Sequence, residues 1–394
     1  MVSNPDESGR SLPVLILVAT LSKVVLNTTR RLIYPFAPEF ARGLGVSLPA
    51  VTSIIAVNQT TSVLGPVTAS FGDRYGYKPL MLTALGMASV GLFAAGFLPV
   101  YSVVLICFFL AGLAKSIFDP VLQAYIGKHV PFEKRGKFIG LTELSWAAST
   151  LLGIPLAGVI IDRYSWHTPF IILGVLCLFL FFILLWIMPN GSMHSEQDTL
   201  PPNLIAGWKK IIRSRQVIGV LSFSFFMALA NDNLFVIYGA WLEDAFQMSL
   251  AAIGFGTVII GASEVAGEGL TAFLADRIGL KRSIVIGVTG CALSYACLPL
   301  LAGSFALVLT GLFMVFLTFE FTVVTAMSLS TELVPEFRAA TMSAFYAIGG
   351  IGRVAGAFLG GIIWSFDGIT AIALFSGGCT VIALVSILMG FSKS

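Results

Sequence analysis

Eleven side chains that ionise in water stand inside stretches that are otherwise apolar: Lys23, Arg30, Arg31, Lys115, Asp119, Glu143, Asp232, Glu264, Glu268, Glu320 and Arg353. At the centre of a lipid-facing helix each would cost about 2.5–3.5 kcal/mol. All eleven would cost roughly 30 kcal/mol, more than a typical folding free energy. They must pair, face water, or lie nearer the interface. The chemistry open to such a set is ion pairing, binding of a polar or charged solute, and proton loading and release. No nucleophile or metal cluster is found. His129, His167 and His194 fall at span ends or in loops without metal-ligand spacing, so neither an enzyme nor a bound metal or cofactor is indicated.

Helical spacing groups these residues. Lys23, Asn27, Arg30 or Arg31, and Tyr34 recur on one face of a helix, and Lys115, Asp119 and Gln123 recur on another. Arg30 and Arg31 are about 100° apart on a helix, so one is expected in a cavity and the other packed against a neighbour or reaching the interface. Lys115 and Asp119 read either as a structural i,i+4 pair or as part of a solute site. Asn58 and Gln59 add polar groups from the next helix. Glu264 and Glu268, one turn apart, are the leading proton-coupling candidates, because like charges in a low-dielectric setting repel. Asp119, Asp232 and Glu320 are alternatives. Asp232 is a candidate counter-ion for Arg30, and Arg353 for an acid of the Glu264 helix. The expected solute-binding set is Lys23, Asn27, Arg30, Arg31, Tyr34, Asn58, Lys115, Asp119, Gln123, Asp232, Glu320 and Arg353.

The elements that must hold these residues are long apolar helices. Hydrophobic residues make up 57% of the 394-residue chain and charged residues 11%, and the mean hydropathy is +0.94. A hydrocarbon core of about 30 Å needs about 20 apolar residues per helix. Twelve such spans fit: 12–38, 48–72, 79–100, 101–126, 138–162, 167–188, 217–243, 250–275, 282–303, 304–330, 340–365 and 368–391. The internal charges sit on spans 1, 4, 5, 7, 8, 10 and 11, and spans 3, 6, 9 and 12 have none. They sum to +2 in the first half and −3 in the second.

Sixteen Lys and Arg residues lie at the termini and even-numbered turns, against only Arg42 and Arg163 on the opposite face. The positive-inside bias predicts both termini in the cytoplasm. The basic residues are thus a topology signal, not a nucleic-acid site. The first apolar stretch, preceded by Asp6 and Glu7, is not expected to be a cleaved signal. The five cysteines all fall inside spans and read as buried free thiols.

The sequence repeats itself. TASFGDRYGYKPLM around Asp73 matches TAFLADRIGLKRSI around Asp276 at an offset of 203. The segments from Leu32 and Leu234, those near Arg135 and Arg338, and Gly158 and Gly361 align in the same order. Residues 1–189 and 217–394 are therefore expected to be two six-helix bundles. A polar linker at 190–216 joins them and ends in a basic WKKIIRSR segment suited to a headgroup surface.

The turn GDRYGYKP, Gly72 to Pro79, closely resembles the signature loop of the major facilitator superfamily of transporters. Asp73, Arg74, Gly76 and Lys78 match it, and Asp276, Arg277, Gly279 and Lys281 keep the same order in the second copy. Ala69 and Tyr77 depart from the pattern. The resemblance implies an all-α membrane protein of twelve helices in two pseudo-symmetric bundles around a central cavity, with these loop residues acting in gating. LLGIPLAG in span 5 is similar to the glycine–proline motif of drug:proton antiporters, although span 4 lacks their arginine-centred motif. That likeness implies proton-coupled export of a small organic or amphiphilic solute. The alternative is proton-coupled uptake of an organic anion held by Arg30 or Arg31. Expected partners are the solute, protons and lipid, with the chain working as a monomer in a prokaryotic inner membrane. Tyr34, Phe36, Tyr238 and Trp241 read either as an external gate or as an aromatic interfacial belt.

Overall fold

The computed structural model describes residues 5–64, 76–189, 214–334 and 338–392, and among these the chain is helical with no strand. Closing every backbone hydrogen bond within its own segment is what an apolar surrounding demands of a spanning chain. Among the described residues, ten helices are long and apolar enough to cross a membrane, or eleven if Ala37–Leu44 and Leu48–Thr60, bent by 112°, count as one span. The longest helix, Arg338–Gly390, breaks at Asp367 and at Gly368, whose φ is +52°. Counting its two arms separately gives the twelve expected spans.

Span 1 ends earlier than the sequence suggests: its helix stops at Arg31 and the chain turns into a short second helix, Ala37–Leu44. Pro35 and Pro38 force this turn, since neither can donate into a continuing helix. Span 7, after a two-residue interruption at Val236 and Ile237, continues through Tyr238–Phe246 as one stretch, Arg215–Phe246. The charged linker, together with Asp73 and Arg74, lies outside the described residues, save for 214–216.

Span 5 is divided by a π-helical turn, Ser149–Gly153, between Phe132–Ala148 and Ile154–Arg163. Pro155 gives no N–H to the Leu151 carbonyl, and the wider turn absorbs the defect. A second π turn, Thr271–Ala275, sits at the end of span 8.

Burial follows the charge map at its extremes: the apolar windows of spans 1 and 7 are 67% and 72% buried, and those of spans 6 and 9 only 33% each. Uncharged span 3, at 50%, is as buried as charged spans 4 and 8. Two repeat-related contacts bring the halves together. A Cβ at Gly158 would lie 2.8 Å from the Leu250 carbonyl and 3.2 Å from Gly254 Cα, and one at Gly361 would lie 3.0 Å from Pro49 Cα. Small residues here let spans 5 and 8, and spans 11 and 2, approach backbone to backbone. Four cysteines are buried as expected; Cys297 is exposed on the outer side of span 9.

Candidate functional site

The internal charges are arranged as pairs. Nearest the face that carries the chain termini, Lys23 Nζ is 2.8 Å from Glu143 Oε1, and the Gln123 amide donates to the same oxygen at 3.4 Å. Asn27 donates to Ser145 Oγ at 3.1 Å. Lys115 and Asp119 form a close i,i+4 pair on span 4. Asn58 donates to the Phe108 carbonyl at 2.6 Å, tying span 2 to span 4. These contacts hold the first half together. None of Lys23, Asn27, Asn58, Lys115, Asp119 or Gln123 lines the cavities between the halves described below. Each finds a partner in its own bundle, although Asn27 Oδ1 and Asp119 Oδ1 stay buried without a hydrogen bond.

Deeper in the protein the pairs cross between halves. Arg31 grips Glu264 with both terminal nitrogens, at 2.7 and 3.3 Å, and its guanidinium lies 4.3 Å from the Trp146 ring centroid. Arg30 donates to the Gln59 side-chain oxygen. The Gln59 amide donates to Tyr34 Oη and, at 3.4 Å, to Asp232. Tyr34 donates to the same Asp232 oxygen at 3.2 Å. Arg353 stands 3.8 Å from the other Asp232 oxygen, which accepts no hydrogen bond.

Two pairing expectations are therefore corrected. Asp232 takes Arg353, not Arg30, as its ionic partner, and Arg353 faces span 7, not the acid of span 8. Arg31 already occupies that acid, leaving Arg353 free to reach the nearer carboxylate. Arg30 and Arg31 part as their 100° separation requires: Arg30 faces the open cavity, and Arg31 is 2% exposed between the halves.

A cavity of about 210 Å³ lies between the halves, lined by Arg30, Trp146, Phe319, Met327, Phe345, Tyr346 and Arg353 among others. Its open side runs toward the terminal face, where Tyr346 is 55% exposed. A recess of about 30 Å³ continues beyond it, bounded by Arg30, Arg31, Tyr34, Gln59, Glu264, Glu320 and Arg353. Glu320 has no hydrogen bond or ion pair among the described residues. Glu268 is exposed, within electrostatic range of Glu264 and Glu143. Asp232 is 1% exposed and lies behind the cavity wall. Sequence reasoning passed over Trp146 and the aromatic wall, because 32 phenylalanines hide any few that matter. It named Asn58 and Gln59 together but kept only Asn58 in the solute-binding set, whereas Gln59 is the hub.

The opposite face is sealed. Tyr34, Phe36, Tyr238 and Trp241 are 0–3% exposed, so they are packed inside and not spread as an interfacial belt. Tyr34 lies 4.4 Å, centroid to centroid, from Phe235, which stacks on Tyr238. A Cβ on Gly239 would collide with the Pro35 carbonyl, so the two short helices need glycine to meet. Arg42 bridges Glu39, at 2.6 Å, and Glu243 of the other half.

The two repeated loops share one geometry. Gly76 and Gly279 have φ of +87° and +91° and each precedes a span. Lys78 donates to the Met188 carbonyl at 2.7 Å, and Lys281 to the Phe391 carbonyl at 3.3 Å. Donors and acceptors alike are 203 positions apart. Arg277 is exposed beside Gly279. The Asp276 side chain, like Asp73 and Arg74, lies outside the described residues.

Comparisons with known proteins accord with this architecture. The sequence profile of the Major Facilitator Superfamily matches residues 19–230 and again 220–393. YwfA of Bacillus subtilis (strain 168), an uncharacterized MFS-type transporter, is 23% identical over 99% of this chain and 95% of its own. The multi-drug resistance efflux pump PmrA of Streptococcus pneumoniae is 23% identical over 68% of this chain and 69% of its own. The class C tetracycline resistance protein of Escherichia coli is 25% identical over 74% of each. A bacterial homolog of the human lysosomal transporter Spinster, inward-facing and unoccupied, superposes with a TM-score of 0.79 at 14% identity, covering 99% of this chain and 96% of that one. The nucleoside transporter NupG gives 0.78 at 14% identity, over 96% and 100%. With a family profile spanning nearly its whole length, the same fold in solved relatives and a duplicated set of spans around a polar centre, this chain is a multi-pass membrane transporter of the Major Facilitator Superfamily.

Proposed function

We propose that the chain exports a small organic or amphiphilic solute in exchange for protons, by alternating access between residues 1–189 and 217–394, with 190–216 as the tether. The observation that carries this reading is the cavity between the halves, open toward the terminal face and closed at the other. The positive-inside bias supports a cytoplasmic terminal face, and the membrane in this reading is a prokaryotic inner membrane. A solute then enters from inside the cell. The apolar wall of Trp146, Phe319, Met327, Phe345 and Tyr346 suits a body with aromatic or alkyl surface. Resemblance to an efflux pump and a tetracycline resistance protein supports the same direction. One chain lines the cavity from both sides, so the monomer is the working unit.

Protons enter through carboxylates. Glu264 is the leading carrier, because neutralising it frees Arg31 and loosens a bond between the halves. Glu268, a turn away and exposed, delivers the proton. Glu320, Asp232 and Asp119 remain the alternatives. The paired loop residues Asp73, Arg74, Gly76 and Lys78, and Asp276, Arg277, Gly279 and Lys281, act in gating. The second reading is uptake of an organic anion with a proton, favoured by the arginines in the cavity wall.

Everted vesicles carrying an interior-acid gradient and a quenched pH dye separate the readings. Compounds first selected by thermal stabilisation of the purified protein should restore fluorescence as protons leave in exchange. Acidification on solute entry would mean symport, and an unchanged signal with solute movement would mean uniport. Glu264→Gln and Glu268→Gln, tested separately, should lose the gradient response; its survival in both would discard the coupling assignment.

A further inference from the structure

We infer that the solute carries an anionic group, bound between Arg30 of the first half and Arg353 of the second, with its apolar body against Trp146, Phe345 and Tyr346. The inference rests on the proposed function only in taking this cavity as the solute site. It is independent of direction and of proton coupling.

Among the residues lining the open cavity, the charged ones are Arg30 and Arg353, and both are cations. Arg30 comes from span 1 and Arg353 from span 11, so a group lodged between them touches both halves. Neither guanidinium is fully engaged. Arg30 gives its one described hydrogen bond to a neutral amide oxygen of Gln59. Arg353 has a carboxylate at 3.8 Å, beyond a normal hydrogen bond, and a third of its side chain is exposed. Each presents several unused N–H groups in a planar fork, the geometry that recognises a carboxylate or phosphate.

Arg31 is excluded from this role. Both of its terminal nitrogens are taken by Glu264, its guanidinium stacks on Trp146, and it is 2% exposed. The acids within electrostatic range of these arginines are Asp119, Asp232, Glu264 and Glu320, of which Asp119 is engaged by Lys115 and does not line the cavity. Asp232 is sealed at 1% exposure, and Glu264 and Glu320 line the recess and not the open cavity. Inside the open cavity a solute therefore meets the two cations and no carboxylate; the exposed acids Glu143 and Glu268 lie nearer the terminal face and do not line it.

The test uses the full chain in lipid nanodiscs with six probes in two matched series. These are 2-naphthoate, 2-naphthamide and 2-naphthylmethylammonium, and octanoate, octanamide and octylammonium. Binding is read as a concentration-dependent rise in Tm. The carboxylates should bind at least about tenfold more tightly than their amide and ammonium partners. Arg30→Gln and Arg353→Gln should each weaken carboxylate binding by about tenfold or more. The Lys variants, which keep the charge and lose the fork, should retain part of it, and they carry the test if a Gln variant does not fold. Arg163→Gln, at an exposed position at the far-face end of span 5, should leave carboxylate binding unchanged.

Equal or tighter binding of an ammonium or amide would overturn the inference. So would binding by none of the six, or carboxylate binding that survives loss of either guanidinium. Proton-driven export of a neutral or cationic solute would keep the proposed function and remove this inference. Arginine-dependent carboxylate binding without gradient-driven transport would do the reverse.

Discussion

Arg31 of span 1 and Glu264 of span 8 are joined by two hydrogen bonds, 2.7 and 3.3 Å long, across the boundary between the repeat halves. Both side chains are less than a tenth exposed. A bidentate pair in such a setting is costly to break from one side, because the remaining charge is left without a partner. Removing one partner is therefore expected to cost about 3–5 kcal/mol. Glu264→Ala and Arg31→Ala should each lower the unfolding midpoint in detergent strongly, and the double variant should lose less than the sum. A strictly additive double-mutant cycle would mean that the two groups are not coupled.

The latch on the opposite face is weaker. Arg42 is half exposed where it bridges Glu39 and Glu243. Exposed pairs contribute about 0–1 kcal/mol and fade with salt. Arg42→Ala should shift the balance between closed and open far faces by no more than about fivefold. Spin labels at Ser47 and Ser249, exposed at repeat-related ends of spans 2 and 8, report the opening. A longer distance population should grow in the variant and, on raising salt, in the wild type. An unchanged distribution would remove the latch.

Close approach of the bundles depends on two glycines whose surroundings match. A Cβ at Gly158 meets the Leu250 carbonyl and Gly254, and one at Gly361 meets Pro49 and Thr52, all nearer than side chains normally come. Because backbone cannot yield as a side-chain tip does, Gly158→Ala and Gly361→Ala should each cost about 1–3 kcal/mol. Both should also favour the open far face. Gly127→Ala, with nothing within 4 Å of the added carbon, is the control and should cost nothing. Equal behaviour of all three would show that close packing is not what these positions require.

Much of this architecture is legible in the residues themselves. The repeat foretells that Gly76 and Gly279 share a backbone conformation, and that Lys78 and Lys281 reach acceptors the same distance along the chain. The charge map foretells the most buried spans, 1 and 7, and the least buried, 6 and 9, but not uncharged span 3. What the sequence conceals is rotation. Charge within apolar spans places Asp232, Arg353 and Glu264 on inward faces, but which inward groups meet depends on helix rotation and depth. That is why Arg353 pairs with Asp232 and why Gln59 stands between Arg30 and that acid. Aromatic lining residues such as Tyr346 carry no distinguishing signal among so many others.

Lys23 and Glu143 offer the clearest case of unequal partners. The ammonium is 2% exposed, and the carboxylate 2.8 Å away is 53% exposed. Water can take over the role of Lys23 for Glu143, but nothing comparable reaches Lys23. Lys23→Met should therefore change stability by about 1 kcal/mol or less, since it removes a buried charge and leaves a hydrated acid. Glu143→Leu should cost several times more, about 3–5 kcal/mol, by stranding the lysine. Combining them should recover most of that loss, because no unpaired buried charge remains. Thermal unfolding of the three variants under one detergent condition checks the order. Equal losses for the two single changes would mean that burial does not distinguish the partners, and that Lys23 has access to water this structure does not give it.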